Sequence, residues 1–197
     1  MLRSSGVSGP AGSRASDQVF AGWAPAAESA IRALSGSPFP YAHAGRFAAV
    51  GVGGAGVGAV LRLRDAAPEG LCFIAVDSSA QVLQQARGRA AGDDSLPPLA
   101  TVLLGVGTGG LGTGGDTDLA ASAAREAAAA ILQAVGPAEV VLLAGGLAGG
   151  TGGGATPQVA RLLRDAGHVV IGFGIMPFGF ESAPRQRRAE LALGQLR

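Results

Sequence analysis

The sequence AGGLAGGTGGGATP, residues 144–157, decides how this chain is expected to fold. The apolar run 140–143 before it predicts a buried strand, and residues 158–166 after it predict a helix with Pro157 in its first turn. A strand, a glycine loop and a helix in this order form a phosphate-binding layout. Glycines let backbone N–H groups approach an anion, and the helix points its partial positive end at the same place. The stretch therefore predicts a phosphate site, although no Gly-Lys-Ser/Thr sequence closes it as in a Walker A loop.

Composition limits the classes of protein to which the chain can belong. With 197 residues, 48% of them hydrophobic, it is expected to form about one domain with a substantial core. A net charge of +1, from 15 basic and 14 acidic residues, gives no electrostatic footprint for nucleic acid. No apolar stretch approaches the roughly 18 residues of a transmembrane helix, so a soluble, cytoplasmic protein is expected. Cys72, inside the apolar run 71–76, is predicted to be a small buried hydrophobe in a reducing compartment.

The first 45 residues differ in composition from those that follow. Residues 1–16 are rich in Ser, Gly and Arg and contain no acid, which predicts a flexible N-terminal extension over residues 1–45. A short helix is predicted within it at residues 25–34. A transit peptide shares this composition and stays open as an alternative, although no amphipathic helical pattern accompanies it. The domain itself is predicted over residues 46–197.

From residue 46 onward, short apolar runs alternate with helical patterns. Apolar residues recur every four positions over residues 119–135, which predicts a helix that Asp116, Thr117 or Asp118 can cap. The alternation predicts an α/β fold: a Rossmann-like, mostly parallel sheet with helices on both faces, a three-layer sandwich, with ligands at the carboxyl ends of the strands. The predicted strands are 47–52, 71–76, 102–106, 140–143 and 169–175, and the other predicted helices are 58–64, 81–86 and 158–166.

A second glycine loop, GVGGAG at residues 51–56, lies directly after the first predicted strand. It fits the pattern G-x-G-x-x-G, and Asp77 stands at the end of the next strand, where a dinucleotide-binding domain places its ribose ligand. These residues alone leave two interpretations open: an NAD(P)-binding Rossmann domain, or a tight turn between a strand and a helix. A dinucleotide site needs one glycine loop, whereas this chain has a third at residues 108–116, TGGLGTGGD.

Five motifs follow one another along residues 46–197. They are GVGGAG at 51–56, FIAVDSSAQ at 73–81, GLGTGG at 110–115, GGTGGGATP at 149–157 and PFGFE at 177–181. Their order and spacing resemble the nucleotide-binding half of FtsZ, the bacterial relative of tubulin. The glycine-rich GGTG sequence at residues 149–152 is the signature of that family.

The resemblance implies a GTP site built from these loops. The first loop would contact the nucleotide through its backbone, the signature loop would hold the phosphates, and residues 112–116 would face the γ-phosphate. Glu181 would accept hydrogen bonds from the ribose hydroxyls and Arg185 would lie close by, although without the family both would be taken for a solvated helix start. The implied nucleotide-binding residues are Gly54, Ala55, Gly56, Val57, Gly58, Gly112, Thr113, Gly114, Gly149, Gly150, Thr151, Gly152, Gly153, Glu181 and Arg185.

Four positions depart from the family's usual residues. Gly58 stands in place of Asn, Asp116-Thr117 in place of Asn-Pro, and Met176 in place of Lys. A carboxylate beside a phosphate costs free energy unless Mg²⁺ intervenes, so weaker phosphate affinity and a bound Mg²⁺ are expected.

The sequence ends before several of the family's parts. The helix that reads guanine, the acidic loop that activates water on the neighbouring subunit, and the second domain all follow the point matched by Arg197. The resemblance therefore implies a truncated GTPase domain that is inactive alone. Its expected partners are GTP or GDP, and either another copy in head-to-tail contact or a full-length FtsZ.

Three functions stay open from the sequence. The first is an FtsZ-like GTP-binding protein associated with cell-division filaments. The second is a Rossmann-type NAD(P)-binding oxidoreductase that uses residues 51–56 and Asp77. The third is a non-enzymatic protein that caps a filament end.

Overall fold

The computed structural model of the chain describes residues 47–66, 71–92, 95–105 and 109–197. The predicted N-terminal extension and its short helix lie outside these residues. The strands are β1 (Phe47–Val52), β2 (Leu71–Asp77), β3 (Leu99–Leu103), β4 (Val140–Gly146) and β5 (Val169–Ile175). They form one parallel sheet in the order β3-β2-β1-β4-β5, so the predicted parallel α/β sheet is confirmed.

The helices follow the strands as the alternating pattern predicts. The predicted single helix over residues 119–135 divides at Ala127, where ψ is 7°. Ala127 links the two parts: its N–H donates to the Ala123 carbonyl and its carbonyl accepts from the Ile131 N–H, each over 3.0 Å. The helices are α1 (Gly53–Asp65), α2 (Ala80–Ala90), α3 (Thr117–Glu126), α4 (Ala128–Val135), α5 (Gly150–Asp165) and α6 (Ala183–Leu196).

Two separate apolar cores place helices on both faces of the sheet. On one face, the β1 side chains Val50 and Val52 pack in a cluster with Val159 of α5 and residues of α3 and α4. On the other face, Ala49 packs with Val60 and other residues of α1. Successive side chains of one strand thus enter different cores, as the pleat requires. The predicted three-layer arrangement is confirmed.

Helix α5 begins earlier than the sequence predicts. The pattern places Pro157 in its first turn, but the helix starts at Gly150 and Pro157 is a buried interior residue. Close packing explains the difference: a Cβ on Gly154 would lie 2.0 Å from the Thr117 carbonyl oxygen, and one on Gly153 would lie 2.6 Å from that of Leu147. These glycines let the helix approach its neighbours, and tertiary packing overrides their low helix propensity. Residues 150–157, more than half of the glycine-rich stretch 144–157, are therefore helix.

Cys72 is exposed, so the prediction of a buried cysteine is wrong. It is the second residue of β2, and β3 pairs with β2 only from Phe73 onward. Cys72 therefore has a neighbouring strand on the β1 side, where it pairs with Ala48, and none from β3. The apolar character of its run predicts the strand correctly but not the exposure of this position.

Candidate nucleotide site

A cavity of about 390 Å³ opens at the carboxyl ends of β1, β4 and β5. This volume falls within the range of small-ligand pockets. The sheet order reverses between β1 and β4, and parallel sheets bind ligands at such a crevice. Two glycine turns form the floor of the cavity, and residues after β5 form its rim. The residues that line it are Gly53, Gly54, Ala55, Asp77, Val82, Gly146, Ala148, Gly149, Gly150, Thr151, Gly152, Ile175, Met176, Pro177, Phe178, Glu181 and Arg185.

The two glycine turns touch each other across the cavity floor. Gly53 has a φ of +72°, and a Cβ there would lie 2.8 Å from the backbone nitrogen of Gly152. A Cβ on Gly146 would likewise lie 2.7 Å from the Cβ of Ala55. Side chains at these positions would force the turns apart. The glycines that the sequence places about 100 residues apart therefore serve a single concave surface.

The N-terminus of α5 faces this surface without a side-chain cap. Gly149 is the N-cap residue, with φ −83° and ψ 164°, and no side chain accepts a hydrogen bond from the helix end. The first N–H groups of a helix have no intrahelical partner, and the helix dipole adds a partial positive charge there. Gly149, Gly150, Thr151 and Gly152 all line the cavity, which is the arrangement that binds phosphate.

Ser78 holds the one hydroxyl of the signature loop. Its Oγ lies 2.6 Å from Oγ1 of Thr151, and either atom can donate this hydrogen bond. Ser78 is fully buried directly after β2, so it fixes the rotamer of Thr151. Sequence patterns alone do not single out Ser78, because only the fold brings the end of β2 beside the start of α5.

The third glycine loop packs against the same helix terminus from the other side. A Cβ on Gly150 would lie 2.5 Å from Oγ1 of Thr113 and 2.6 Å from the Cα of Gly115. Backbone hydrogen bonds anchor the loop to the end of β2, since the Gly112 N–H donates to the Ser78 carbonyl over 3.0 Å. The predicted residues Gly112, Thr113 and Gly114 thus lie beside the cavity but do not line it.

Asp116 directs its carboxylate to the start of α3. Its Oδ1 accepts hydrogen bonds of 2.9 Å from the N–H groups of Asp118 and Leu119. Asp116 is therefore the N-cap among the three predicted candidates. Asp116 does not line the cavity. The N-terminus of α3, which it caps, stabilises its negative charge.

An ion pair forms the polar part of the rim. Oε2 of Glu181 accepts from Nε of Arg185 over 2.5 Å, and Oε1 accepts from the Phe178 N–H over 2.8 Å. The hydrogen bond from Phe178, followed by the hydrogen bond and then the charge of Arg185, lowers the pKa of the Glu181 carboxyl. Both side chains line the cavity, so an ionised acceptor and a cation stand at its mouth.

Asp77 is the one strongly buried acid of the cavity wall among the described residues. Only 3% of its surface is exposed, and its Oδ1 accepts from the Ser79 N–H over 2.8 Å. Burial raises the pKa of this carboxyl, against the effect of the backbone hydrogen bonds. The sequence indicates Asp77 only as the ribose ligand of the dinucleotide alternative.

The structure brings most of the predicted site residues together, but not all. Gly56 packs within the fold, since a Cβ there would lie 2.3 Å from the Ala144 carbonyl oxygen. Val57 is a core residue with 2% exposure, and Gly58 lies further along α1. Gly153 packs against Leu147. Direct contact with a ligand is therefore predicted for the first residues of α1 and α5, and packing for those that follow.

The described part of the chain contains neither a cluster of metal-binding side chains nor a membrane-spanning helix. Within the described residues, no group of three or more His, Cys, Asp or Glu side chains is placed to hold a metal ion. None of the helices in the described part of the chain is long and apolar enough to cross a bilayer.

Comparison with known proteins points to one family. The family model described as Tubulin/FtsZ family, GTPase domain, matches residues 46–197. The cell division protein FtsZ of Magnetospirillum gryphiswaldense is 35% identical over 147 residues, which are 75% of this chain and 25% of that protein. The empty FtsZ dimer of M. jannaschii matches with a TM-score of 0.68 and 29% identity, over 87% of this chain and 46% of that one.

A third relative was solved as a nucleotide-bound protofilament. CetZ2 from Haloferax volcanii, solved as a GTPγS-bound protofilament, matches with a TM-score of 0.63 and 29% identity, over 77% of this chain and 46% of that one. The chain thus spans about a quarter of the curated relative and about half of the solved ones.

Proposed function

We propose that this chain, which belongs to the Tubulin/FtsZ family and matches its GTPase domain, binds GTP and GDP in the cavity at the carboxyl ends of β1, β4 and β5. The observation that carries the proposal is the contact between two glycine turns, with Gly53 against Gly152, at the uncapped start of α5. Backbone N–H groups from both turns would surround a phosphate chain. The geometry suits a ligand with several negative charges in a row.

The phosphates would lie over the N-terminus of α5. Thr151 and Gly152 would donate backbone N–H groups, and Ser78 would keep the Thr151 hydroxyl in one rotamer. Gly54 and Ala55 would approach from the first turn, where a Cβ on Gly54 meets no atom within 4 Å. No protein atom fills the space beside Gly54, so an anion could occupy it.

The sugar would lie at the rim, beside the ion pair. Hydrogen bonds from Phe178 and Arg185 lower the pKa of Glu181, and its carboxylate oxygens can accept from ribose hydroxyls. Arg185 would stay within reach of the phosphates. The loop at residues 112–116 would sense the γ-phosphate through the start of α5, against which it packs.

Magnesium would enter with the nucleotide. Because no cluster of three metal-binding side chains occurs in the part of the chain described, the phosphates and water would supply most of its ligands, as Mg²⁺ commonly requires. The metal would offset negative charge on the phosphates.

Hydrolysis would require a second subunit. We propose that the chain acts in a cell-division filament, in head-to-tail contact with another copy or with a full-length FtsZ that supplies the acidic loop. The cavity walls offer two carboxylates, Asp77 and Glu181. Asp77 already accepts a hydrogen bond from Ser79, and Glu181 pairs with Arg185, so we propose that the acidic loop of the second subunit positions the attacking water.

Thermal unfolding with a panel of nucleotides tests the binding. GTP or GDP with Mg²⁺ is expected to raise the melting temperature, because a ligand that binds only the folded state stabilises it by mass action. No shift at millimolar nucleotide would show that the site has lost its function. Phosphate release from the purified chain tests the second part: clear turnover without another protein would contradict it.

One observation favours a second candidate. Asp77 lines the cavity at the end of β2, where a dinucleotide-binding domain holds the ribose. The alternative is an NAD(P)-binding oxidoreductase. A melting shift with NAD and none with GTP would select it.

A further inference from the structure

We propose that a second cavity, between α3, α5 and α6, binds a small oxyanion that carries two or more charged oxygens. The cavity has a volume of about 550 Å³ and shares no lining residue with the nucleotide cavity. It lies on the α3 side of α5, where Gly153 and Gly154 form part of its wall. Its polar wall residues are Thr117, Asp118, Arg125, Gln158, Arg188 and Gln195.

Arg188 provides the main cationic group. Its Nε is buried and has no hydrogen-bond partner, and its Nη1 donates to the Gly115 carbonyl over a long 3.4 Å. A buried guanidinium N–H without an acceptor is unfavourable, and such groups in folded proteins usually have a partner. A guanidinium presents its N–H groups as a planar fork that suits the two oxygens of a carboxylate or phosphate. The buried Nε is closed to the cavity, so an oxyanion would bind through the terminal Nη groups of Arg188.

Arg125 provides a second positive charge from the α3 wall. It is exposed on α3, and no acid lies within salt-bridge distance of it or of Arg188 among the described residues. Gln158 and Gln195 add amide donors from α5 and α6. Asp118 is the one acid in the lining, so the arginines outnumber it and the cavity favours an anion.

The volume indicates a molecule rather than a single ion. A cavity of about 550 Å³ is in the range that binds small organic ligands. The shared chemistry is an oxyanion, whether a polycarboxylate or a phosphate. Both probes are needed to tell these sources apart.

Thermal unfolding in citrate and in inorganic phosphate, at constant ionic strength, tests this site. Wild type should show a saturable rise in melting temperature. Arg188→Gln should weaken the apparent affinity at least tenfold, and Arg125→Gln should weaken it several-fold. The matched control is Arg187→Gln, on the exposed neighbour of Arg188 on α6, which removes the same charge and should change the affinity less than twofold.

Two of the variants distinguish anion binding in this cavity from a folding defect and from binding at the nucleotide cavity. Arg125 is exposed, so its replacement should leave folding intact even if Arg188→Gln unfolds the chain. Gly149→Asp, in the nucleotide cavity, should leave the citrate response unchanged, which separates this site from the phosphate-binding turns. Three results would overturn the proposal. The first is an equal response in wild type and Arg188→Gln, and the second is a loss of affinity in Arg187→Gln equal to that in Arg188→Gln. The third is the absence of any saturable rise in melting temperature. The chemical class is that of the probe whose stabilising effect is stronger and is lost in Arg188→Gln but not in Arg187→Gln, since phosphate bound in the nucleotide cavity would respond to neither substitution.

Discussion

Replacing Gly149 tests the phosphate site without disturbing the fold. Gly149 is the N-cap of α5, and its φ of −83° and ψ of 164° are open to any residue. A Cβ there would meet its nearest atom, the Gly146 carbonyl oxygen, at 3.7 Å, which is ordinary contact. Asp and Asn are both good N-cap residues, so Gly149→Asp and Gly149→Asn should each unfold no more easily than the parent, with a gain of about a few tenths of a kcal/mol.

The two variants differ only in charge at the site. Both side chains would accept hydrogen bonds from the N–H groups of Thr151 or Gly152, and so compete equally with phosphate for these donors. The aspartate also places a negative charge beside the phosphates. Two unit charges about 4 Å apart interact by about 1 kcal/mol in water and by about 4 kcal/mol near a protein surface. For an open cavity we expect about 1–2 kcal/mol, or roughly 5- to 30-fold weaker GTP binding by Gly149→Asp than by Gly149→Asn.

Titration calorimetry of GTP into each variant measures the difference, and urea unfolding without nucleotide confirms that both are folded. Equal affinities for the Asp and Asn variants would show that no phosphate lies at the start of α5. The assignment of the glycine turns would then be wrong.

Three further predictions concern stability. Gly152→Ala should lower the free energy of unfolding by about 1–3 kcal/mol, because its Cβ would lie 2.3 Å from the Gly146 carbonyl oxygen. Gly54→Ala is the matched control: its Cβ meets nothing within 4 Å, so it should change this free energy by less than about 1 kcal/mol. Urea unfolding measures both. Asp77→Asn should raise stability at pH 7, since burial raises the pKa of the native carboxyl and its ionisation opposes folding as pH increases; the difference from the parent should close below the ordinary carboxyl pKa of 3.8. Glu181→Gln should lower stability at pH 7, because a carboxyl with a lowered native pKa stabilises the fold above the ordinary pKa of 4.5 and loses this effect as pH falls through the native pKa. Melting curves over a pH series check both substitutions. A shift of the melting temperature in the same direction for Asp77→Asn and Glu181→Gln would contradict this assignment.

Periodicity predicts the sheet well because each strand is a short, separate apolar run. Strands β1 and β5 have the predicted bounds, β2 continues one residue beyond its own and β4 continues three residues beyond its own. The prediction for β3 is displaced, since the pattern favours residues 102–106 and Leu99–Leu103 form the strand. Pairing with β2 selects the register there, and a single sequence does not contain that information.

For a glycine, the sequence does not show whether the residue contacts a ligand or allows close packing. Gly149 and Gly154 belong to the same predicted loop, yet the first caps α5 at the cavity and the second packs on Thr117. Glycine stands at both positions, so the sequence signal is the same for each. Ser78 and Asp77 show the converse: ordinary residues at the end of β2 enter the site because the sheet order brings β2 near β4 through β1.

Amide hydrogen exchange, followed residue by residue, tests most directly whether both turns hold one nucleotide. Addition of GTP with Mg²⁺ should slow exchange at Gly54 and Ala55 and, over the same concentration range, at Thr151 and Gly152. Protection confined to one of the two turns, or produced by NAD and not by GTP, would contradict a shared phosphate site.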